Sequence, residues 1–359
     1  MRSEIGGDNE LIDAFPCTRH DGNQSNRMTQ ADKTILVTGV AGFLGCNLLT
    51  ELLARGHRVI GIDNLSMGSS ENISAHLADP AFTFLQRDIT DAGAFADVPR
   101  DIDCVVHLAA FKIPRYGKAI DTLRINQRGC ENVLELCVRH HCKCVLASTS
   151  DVYGRNPKLP FAETDDCVIG SSKIPRWAYA VSKLFDEQLA FAYQDSYGIP
   201  VTLLRLFGSY GPNQHLSWWG GPPPVFIDAA LRGEQIPIHG DGLQTRSFTF
   251  VSDTIAGIYA AIVKDAANGE IVNIGNTEEI AIVDLARLVW RLIDPSAQPR
   301  LRYVPYESFT GKPYDDVRRR VPDVSLCARV LGVTAKVSLE HGLTRTIDWQ
   351  RTARAACPV

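Results

Sequence analysis

Long apolar runs are missing from this sequence: none approaches the ~20 residues that a helix needs to cross a bilayer. Basic excess is missing too, since Lys and Arg number 37 against 41 Asp and Glu and the formal charge is −4. That balance leaves no electrostatic footprint for nucleic acid or anionic lipid, so neither is expected as a partner. No C-x-x-C pair occurs among the ten cysteines. Cys46, Cys104, Cys130, Cys137 and Cys144 instead sit within or beside apolar segments, which reads as small buried hydrophobes in a reducing cytosol. Cys142 and Cys144, close to His140 and His141, are spaced too tightly for a standard zinc pattern, and no metal is expected. The first 30 residues lack both the apolar core of a signal peptide and the Arg-rich, acid-poor bias of a transit peptide. Residues 1–32 therefore read as a disordered tail, with Met28 as an alternative start, and the protein is expected to be cytoplasmic.

What is present is ordinary globular texture: 359 residues, 45% hydrophobic and 22% charged, enough for a large domain carrying a smaller second lobe. Apolar runs at Thr34 to Thr38, His57 to Asp63, Phe82 to Arg87, Cys104 to Ala109, Lys143 to Ser148 and Val201 to Phe207 predict strands, with helical spacing between most of them. Strands apolar on both faces and joined by helices make a doubly wound parallel sheet, an α/β fold. From about Pro212 the texture changes to "GPNQHLSWWGGPPP" and then to short elements, among them Ile271 to Gly275, Val283 to Ile293 and Leu339 to Gln350. The expected division is a dinucleotide-binding domain over 33–211, a mixed α/β substrate lobe over 212–350 with some return to the sheet, and a tail over 351–359.

Gly39, Gly42 and Gly45 form G-x-x-G-x-x-G directly after the first strand, with Phe43 and Leu44 opening a helix. Glycines there permit a tight turn and close approach of backbone to a pyrophosphate, while the helix amino terminus faces the anion. The second strand ends in Asp63, 18 residues after Gly45, followed by Asn64. A carboxylate at that point accepts bonds from an adenosine ribose and repels a 2'-phosphate, which favours NAD over NADP; the other reading of Asp63 is a turn cap. Asp88 and Ile89 close the third strand where an adenine edge would lie. Leu108, Ala109 and Ala110 supply small residues after the fourth.

Tyr179 and Lys183 form Y-x-x-x-K, which on a helix places phenol and ammonium on one face. The cation lowers the phenol's pKa, so that Tyr179 can take a hydroxyl proton as hydride leaves. Thr149, or its neighbour Ser148, can bond the same substrate oxygen. These two belong to "ASTSDVYG", which ends a buried strand in hydroxyls and then presents a carboxylate, Asp151.

The glycine turn, Asp63, "HLAA", "STSDVYG", "YAVSK" and "GDGLQTRSFTFVSD" occur in one order from about Lys33 to Trp349. In this the chain resembles the extended short-chain dehydrogenase/reductase family, in particular its nucleotide-sugar epimerases, dehydratases and decarboxylases. The resemblance implies that Tyr179 deprotonates the 4-hydroxyl of a UDP-linked sugar, that hydride passes from C4 to NAD, and that a 4-keto sugar forms. Arg246 then matches a residue that holds the nucleotide diphosphate. Arg320 matches a substrate arginine of the decarboxylase branch, although Arg318 and Arg319 leave the register open and an exposed basic run is the other reading. Tyr116 matches a sugar-contacting tyrosine of that branch, with packing as the alternative. A homodimer across the helix at about 123–141 is implied as well.

The fate of the 4-keto sugar turns on Ser150 and Asp151. Family dehydratases carry Asp then Glu there, UDP-glucuronate decarboxylases Ser or Thr then Glu, and many epimerases neither acid. The missing first acid argues against 4,6-dehydration. Gly208 replaces an asparagine that most relatives use near the diphosphate, which points to a reshaped sugar pocket. On sequence alone 4-epimerisation comes first, as the least demanding outcome, with UDP-glucuronate decarboxylation next; 4,6-dehydration and an NAD-binding regulator without turnover stand behind them.

Overall fold

A computed structural model describes residues 32–112, 118–306, 308 and 316–356, so the expectations for residues 1–31 and for Tyr116 lie outside the described residues. The elements run β1 (Thr34–Thr38), α1 (Phe43–Ala54), β2 (Arg58–Asp63), β3 (Phe82–Gln86), β4 (Cys104–His107), α2 (Ala119–His140), β5 (Lys143–Thr149), α3 (Ala178–Tyr197) and β6 (Val201–Leu206). They continue with β7 (Ser209–Tyr210), α4 (Pro222–Leu231), β8 (Ile236–His239), β9 (Thr245–Ser247), β10 (Thr249–Phe250), α5 (Val251–Val263), β11 (Ile271–Ile274), β12 (Glu279–Ala281), α6 (Ile282–Ile293), β13 (Leu301–Val304) and α7 (Leu339–Ala356).

Seven strands form one sheet in the order β11-β6-β5-β4-β1-β2-β3. All of its pairings are parallel. The reason is in the side chains: every residue of "TILVT" in β1 is buried, so both faces of the strand need covering, and helical crossovers supply the cover. Alternation along β1 divides the core. Ile35 and Val37 face a cluster with Leu48, Leu49, Ile255 and Ile258, whereas Leu36 faces Val105, Val133, Leu134 and Leu203 on the opposite side. The polarity change in the sheet order, between β1 and β4, opens a crevice at the carboxyl ends of the strands, where doubly wound sheets take their ligands.

Packing shows where the chain returns to the sheet, and one difference from the sequence reading follows from it. Ile271–Ile274 returns to the main sheet as its edge strand, pairing with β6. The last helix does not stop near Gln350 to leave a tail over 351–359; α7 continues to Ala356. Arg354 in that extension reaches the carboxylate of Asp228 on α4 at 3.4 Å, and Gln350 bonds the Pro224 carbonyl, so the added turn has a surface to lie on. The smaller sheets pair β7 with β10, β9 with β12 and β8 with β13. Among the described residues no helix is long and apolar enough to cross a membrane.

Candidate active site

A cavity of ≈ 930 Å³ runs across the carboxyl ends of the strands, lined at one end by the glycine turn and at the other by arginines and aromatic rings. Gly39 has φ +72°, and a Cβ there would lie 2.8 Å from the backbone nitrogen of Ala109, so the turn and the segment after β4 close on each other only because the side chain is absent. Gly45 lets α1 pack on the carbonyl of Gly39 in the same way. The amino terminus of α1 has Gly42 as its cap, with no side-chain cap bond and no acid in its first turn. Its backbone N–H groups therefore remain available to an anion.

Asp63 ends β2 with both carboxylate oxygens engaged by backbone, one accepting from Ala41 N–H at 3.0 Å and the other from Leu65 N–H at 2.8 Å. Burial lifts its pKa and those two N–H groups hold it back. Each oxygen keeps a further lone pair on the cavity side, as a pair of ribose hydroxyls would need. Asn64 donates to Asp88 at 2.9 Å; at Asp88 burial is outweighed by bonds from Thr90 and Asn64, which hold the carboxyl low. Phe43, Leu44, Ile89, Leu108, Ala109 and Ala110 line the same end. An anion-seeking helix terminus, close backbone approach and an acceptor-only acid at the second strand together fit an adenine dinucleotide without a 2'-phosphate.

Tyr179 and Lys183 both reach the cavity from the first turns of α3. Burial pushes the Tyr179 phenol up to about 12, against the pull of the Lys183 charge and of a hydrogen bond with Thr149. Between the two hydroxyls offered by the sequence, the structure separates the roles. Ser148 Oγ donates to Glu187, which is bound in turn by Arg205 through Nε at 3.0 Å and a second guanidinium nitrogen at 2.7 Å. Ser148 thus touches the cavity while its hydroxyl is spent in the core, and Thr149 is the hydroxyl beside the phenol.

At the other end Asp151 is met by Arg320 at 2.7 Å and by Arg176 at 3.5 Å. Ser150 does not line the cavity: it is buried behind Asp151, 3.5 Å from Arg320. Arg246 pairs with Asp316 at 2.9 Å, and Asp316 also accepts from Tyr306, so Arg246 stands in the cavity wall with a fixed partner. Burial, tempered by Asp151, brings the Arg320 guanidinium below its ordinary range, and the neighbouring Arg246 and Arg176 push the same way. The register of the basic run is settled by backbone pairing, since β9 donates from Thr245 N–H to the Arg318 carbonyl and from Ser247 N–H to the Arg320 carbonyl. Arg318 turns out to Asp241 and Arg319 to Glu279, both exposed, and Arg320 alone of the three enters the cavity.

Gly208 lines the cavity at φ +45°, and a Cβ there would collide with the Ser247 carbonyl. That contact explains the glycine: the link between β6 and β7 must approach β9 at this point. Four residues of the cavity wall escaped the sequence reading. Arg176 sits three residues before Tyr179 on a turn anchored by the buried Trp177, over whose ring it lies at 4.4 Å; its position beside the Y-x-x-x-K helix was the available signal. Asp316 carries no motif. Trp218 stacks on His239 at 4.1 Å between ring centres, and both line the cavity. Among the described residues no group of three or more His, Cys, Asp or Glu is placed to hold a metal ion.

Comparison with known proteins agrees with this geometry. Residues 35–275 match the family model described as the NAD dependent epimerase/dehydratase family. UDP-N-acetyl-alpha-D-glucosaminuronate decarboxylase of Bacillus cytotoxicus is 35% identical over 324 residues, which span 89% of this chain and 98% of that protein. UDP-glucuronic acid decarboxylase 1 of Xenopus tropicalis is 33% identical over 321 residues, 89% of this chain and 72% of its own length. Among solved structures, a mutant UDP-glucuronic acid 4-epimerase from Bacillus cereus, in complex with UDP-4-deoxy-4-fluoro-glucuronic acid and NAD, superposes with a TM-score of 0.78 at 29% identity, covering 89% of this chain and 99% of that one. With the fold, the glycine turn and two thirds of the sequence in agreement, the chain belongs to the NAD-dependent epimerase/dehydratase family and is an enzyme of nucleotide-sugar chemistry that uses NAD.

Proposed function

We propose that this enzyme oxidises C4 of a UDP-linked hexuronate and releases the C6 carboxyl as carbon dioxide. The observation that carries the reading is the Arg320–Asp151 pair at 2.7 Å, which joins the arginine that matches the decarboxylase branch to the acid after β5, an aspartate where those decarboxylases carry glutamate. Around it three guanidiniums, from Arg176, Arg246 and Arg320, meet two carboxylates, from Asp151 and Asp316. Guanidiniums at this end of the cavity suit the anionic groups of a UDP-linked hexuronate. This reading inverts the order reached from sequence alone, in which 4-epimerisation came first. Similarity to decarboxylases over nearly the whole of the Bacillus cytotoxicus protein supports the same reading.

In this mechanism Gly39, Gly42, Gly45 and Asp63 hold NAD, which supplies the acceptor for the C4 hydride and the source of its return. Tyr179, whose phenol the Lys183 cation and the positive charge of oxidised NAD would together draw down from its buried value of about 12, takes the proton of the 4-hydroxyl, and Thr149 holds the same oxygen. Once C4 is a ketone, the C6 carboxylate is β to it. The C5–C6 bond then breaks with its electron pair delocalising onto the C4 oxygen, where the Tyr179 phenol donates; a proton taken from solvent at C5 sends the enol proton back to Tyr179 and restores the C4 ketone for reduction. Asp151 faces the departing carboxylate beside Arg320, so charge on C6 is disfavoured relative to neutral carbon dioxide. Residues 33–211 mainly serve the cofactor and 212–350 mainly the nucleotide sugar. Two copies are expected to meet across α2 and α3, where Leu123, Val181 and Phe185 are exposed.

The test is incubation with NAD and UDP-glucuronate, UDP-N-acetylglucosaminuronate, UDP-glucose or UDP-N-acetylglucosamine, with proton NMR of the products and capture of carbon dioxide. A sugar one carbon shorter, with carbon dioxide, is the expected result. Inversion at C4 without loss of carbon would make the enzyme a 4-epimerase.

A further inference from the structure

One buried carboxylate has no part in the mechanism above. Asp186 follows Lys183 by three residues on α3, is wholly buried, and does not line the cavity. Its Oδ2 accepts from Lys183 Nζ at 3.2 Å, while its Oδ1 has no hydrogen-bond partner among the described residues. Lys183 itself is only 2% exposed. An ammonium in such a place is costly unless a counter-charge accompanies it, because burial favours the neutral amine. The Y-x-x-x-K chemistry needs the charged form, for it is the cation that draws the phenol's proton away.

We propose that Asp186 is a positioning residue that keeps Lys183 protonated and aimed at Tyr179. The inference rests on the C4-oxidising class of the enzyme and is indifferent to whether the 4-keto sugar is decarboxylated or epimerised.

The surroundings were considered from each packed element. On α3 itself stand Tyr179 and Glu187, the latter committed to Arg205 of β6 at 2.7 Å. From α2 the Cys130 thiol lies against Asp186, and burial raises that thiol so far that it stays protonated. From β4 His107 lies near Lys183; burial and the Lys183 charge lower it to about 3, so it is neutral at working pH. Beyond β5, Asp151 acts on Tyr179 and is itself paired with Arg320. Asp186 is thus the carboxylate bonded directly to the ammonium. Burial alone would lower Lys183, and Asp186 with Tyr179 turns the balance upward, above the ordinary 10.5. The geometry sets the consequence: without the carboxylate, a cation with no counter-ion remains in a site that also receives an oxidised, positively charged nicotinamide.

The experiment uses the NAD-loaded enzyme labelled with carbon-13 at lysine Cε, with the Lys183 signal assigned by its loss in Lys183→Arg. In the wild type that signal should remain in its protonated position beyond pH 10.5. In Asp186→Asn the titration should fall by about two pH units or more, and the alkaline limb of kcat should move with it. Turnover at pH 9.5 should drop about tenfold relative to pH 6.5, whereas Asp186→Glu should restore the alkaline activity. Loss of kcat by one factor at every pH, with the Lys183 titration unmoved, would show a packing role and overturn the proposal. Wild-type Lys183 titrating below its ordinary range would overturn it without any variant, which covers the case in which Asp186→Asn fails to fold. Failure of the decarboxylase reading would show in the product, which neither readout uses.

Discussion

The two ends of the cavity are built on opposite plans. At the cofactor end the working parts are backbone: N–H groups at the start of α1, the carbonyls and small residues after β4, and one acid, Asp63, held by two main-chain donors. At the sugar end the working parts are long charged side chains, Arg176, Arg246 and Arg320, each placed by a carboxylate or by a ring. A common dinucleotide can be read by fixed backbone, and the variable sugar is read by side chains that exchange without disturbing the sheet.

Four substitutions test that contrast, and the largest effect falls where the ends meet. Tyr179→Phe should reduce kcat about 10³-fold while leaving NAD affinity near the wild-type value by titration; near-normal turnover would remove the phenol from the mechanism. Arg320→Met should lower kcat/KM on a UDP-hexuronate about 10²-fold, with a clearly smaller loss in the binding of a neutral UDP-hexose. Equal losses on both would mean that the arginine holds the wall and does not read the sugar. Gly208→Ala should cost about 1–3 kcal/mol of stability, measured by urea unfolding, because its Cβ meets the Ser247 carbonyl at φ +45°. Retained stability would show that the β6–β7 link and β9 can part, and the sugar end would then be softer than its packing implies. Smallest is Asp63→Asn, for which NAD should bind about tenfold more weakly, near 1.4 kcal/mol, with discrimination against NADP reduced. An unchanged NAD/NADP ratio would make Asp63 a turn cap alone.

The same contrast explains what could be read in advance. Gly39, Gly42 and Gly45 lie in one turn, and Tyr179 and Lys183 in one helix, so local spacing reports their geometry. Asp151 and Arg320 are 169 positions apart in the chain, and no local pattern can report that they touch. Arg318, Arg319 and Arg320 look alike as text; hydrogen bonds from β9 choose which one turns inward. Ser148 and Thr149 were equally plausible until Glu187 claimed the serine. Asp186 lies just beyond the quoted "YAVSK", yet its spacing from Lys183 also suits a solvent-exposed pair, and only burial distinguishes the two.

The hydrogen bonds between β9 and the Arg318–Arg320 segment also impose an order on the making of the enzyme. Translation delivers the amino-terminal half first, and domains fold as they emerge. The glycine turn, the tyrosine and the lysine are therefore complete while the arginine that meets Asp151 has yet to be synthesised. A chain that stopped before Arg320 would lack both the cation that meets Asp151 and the backbone that pairs with β9.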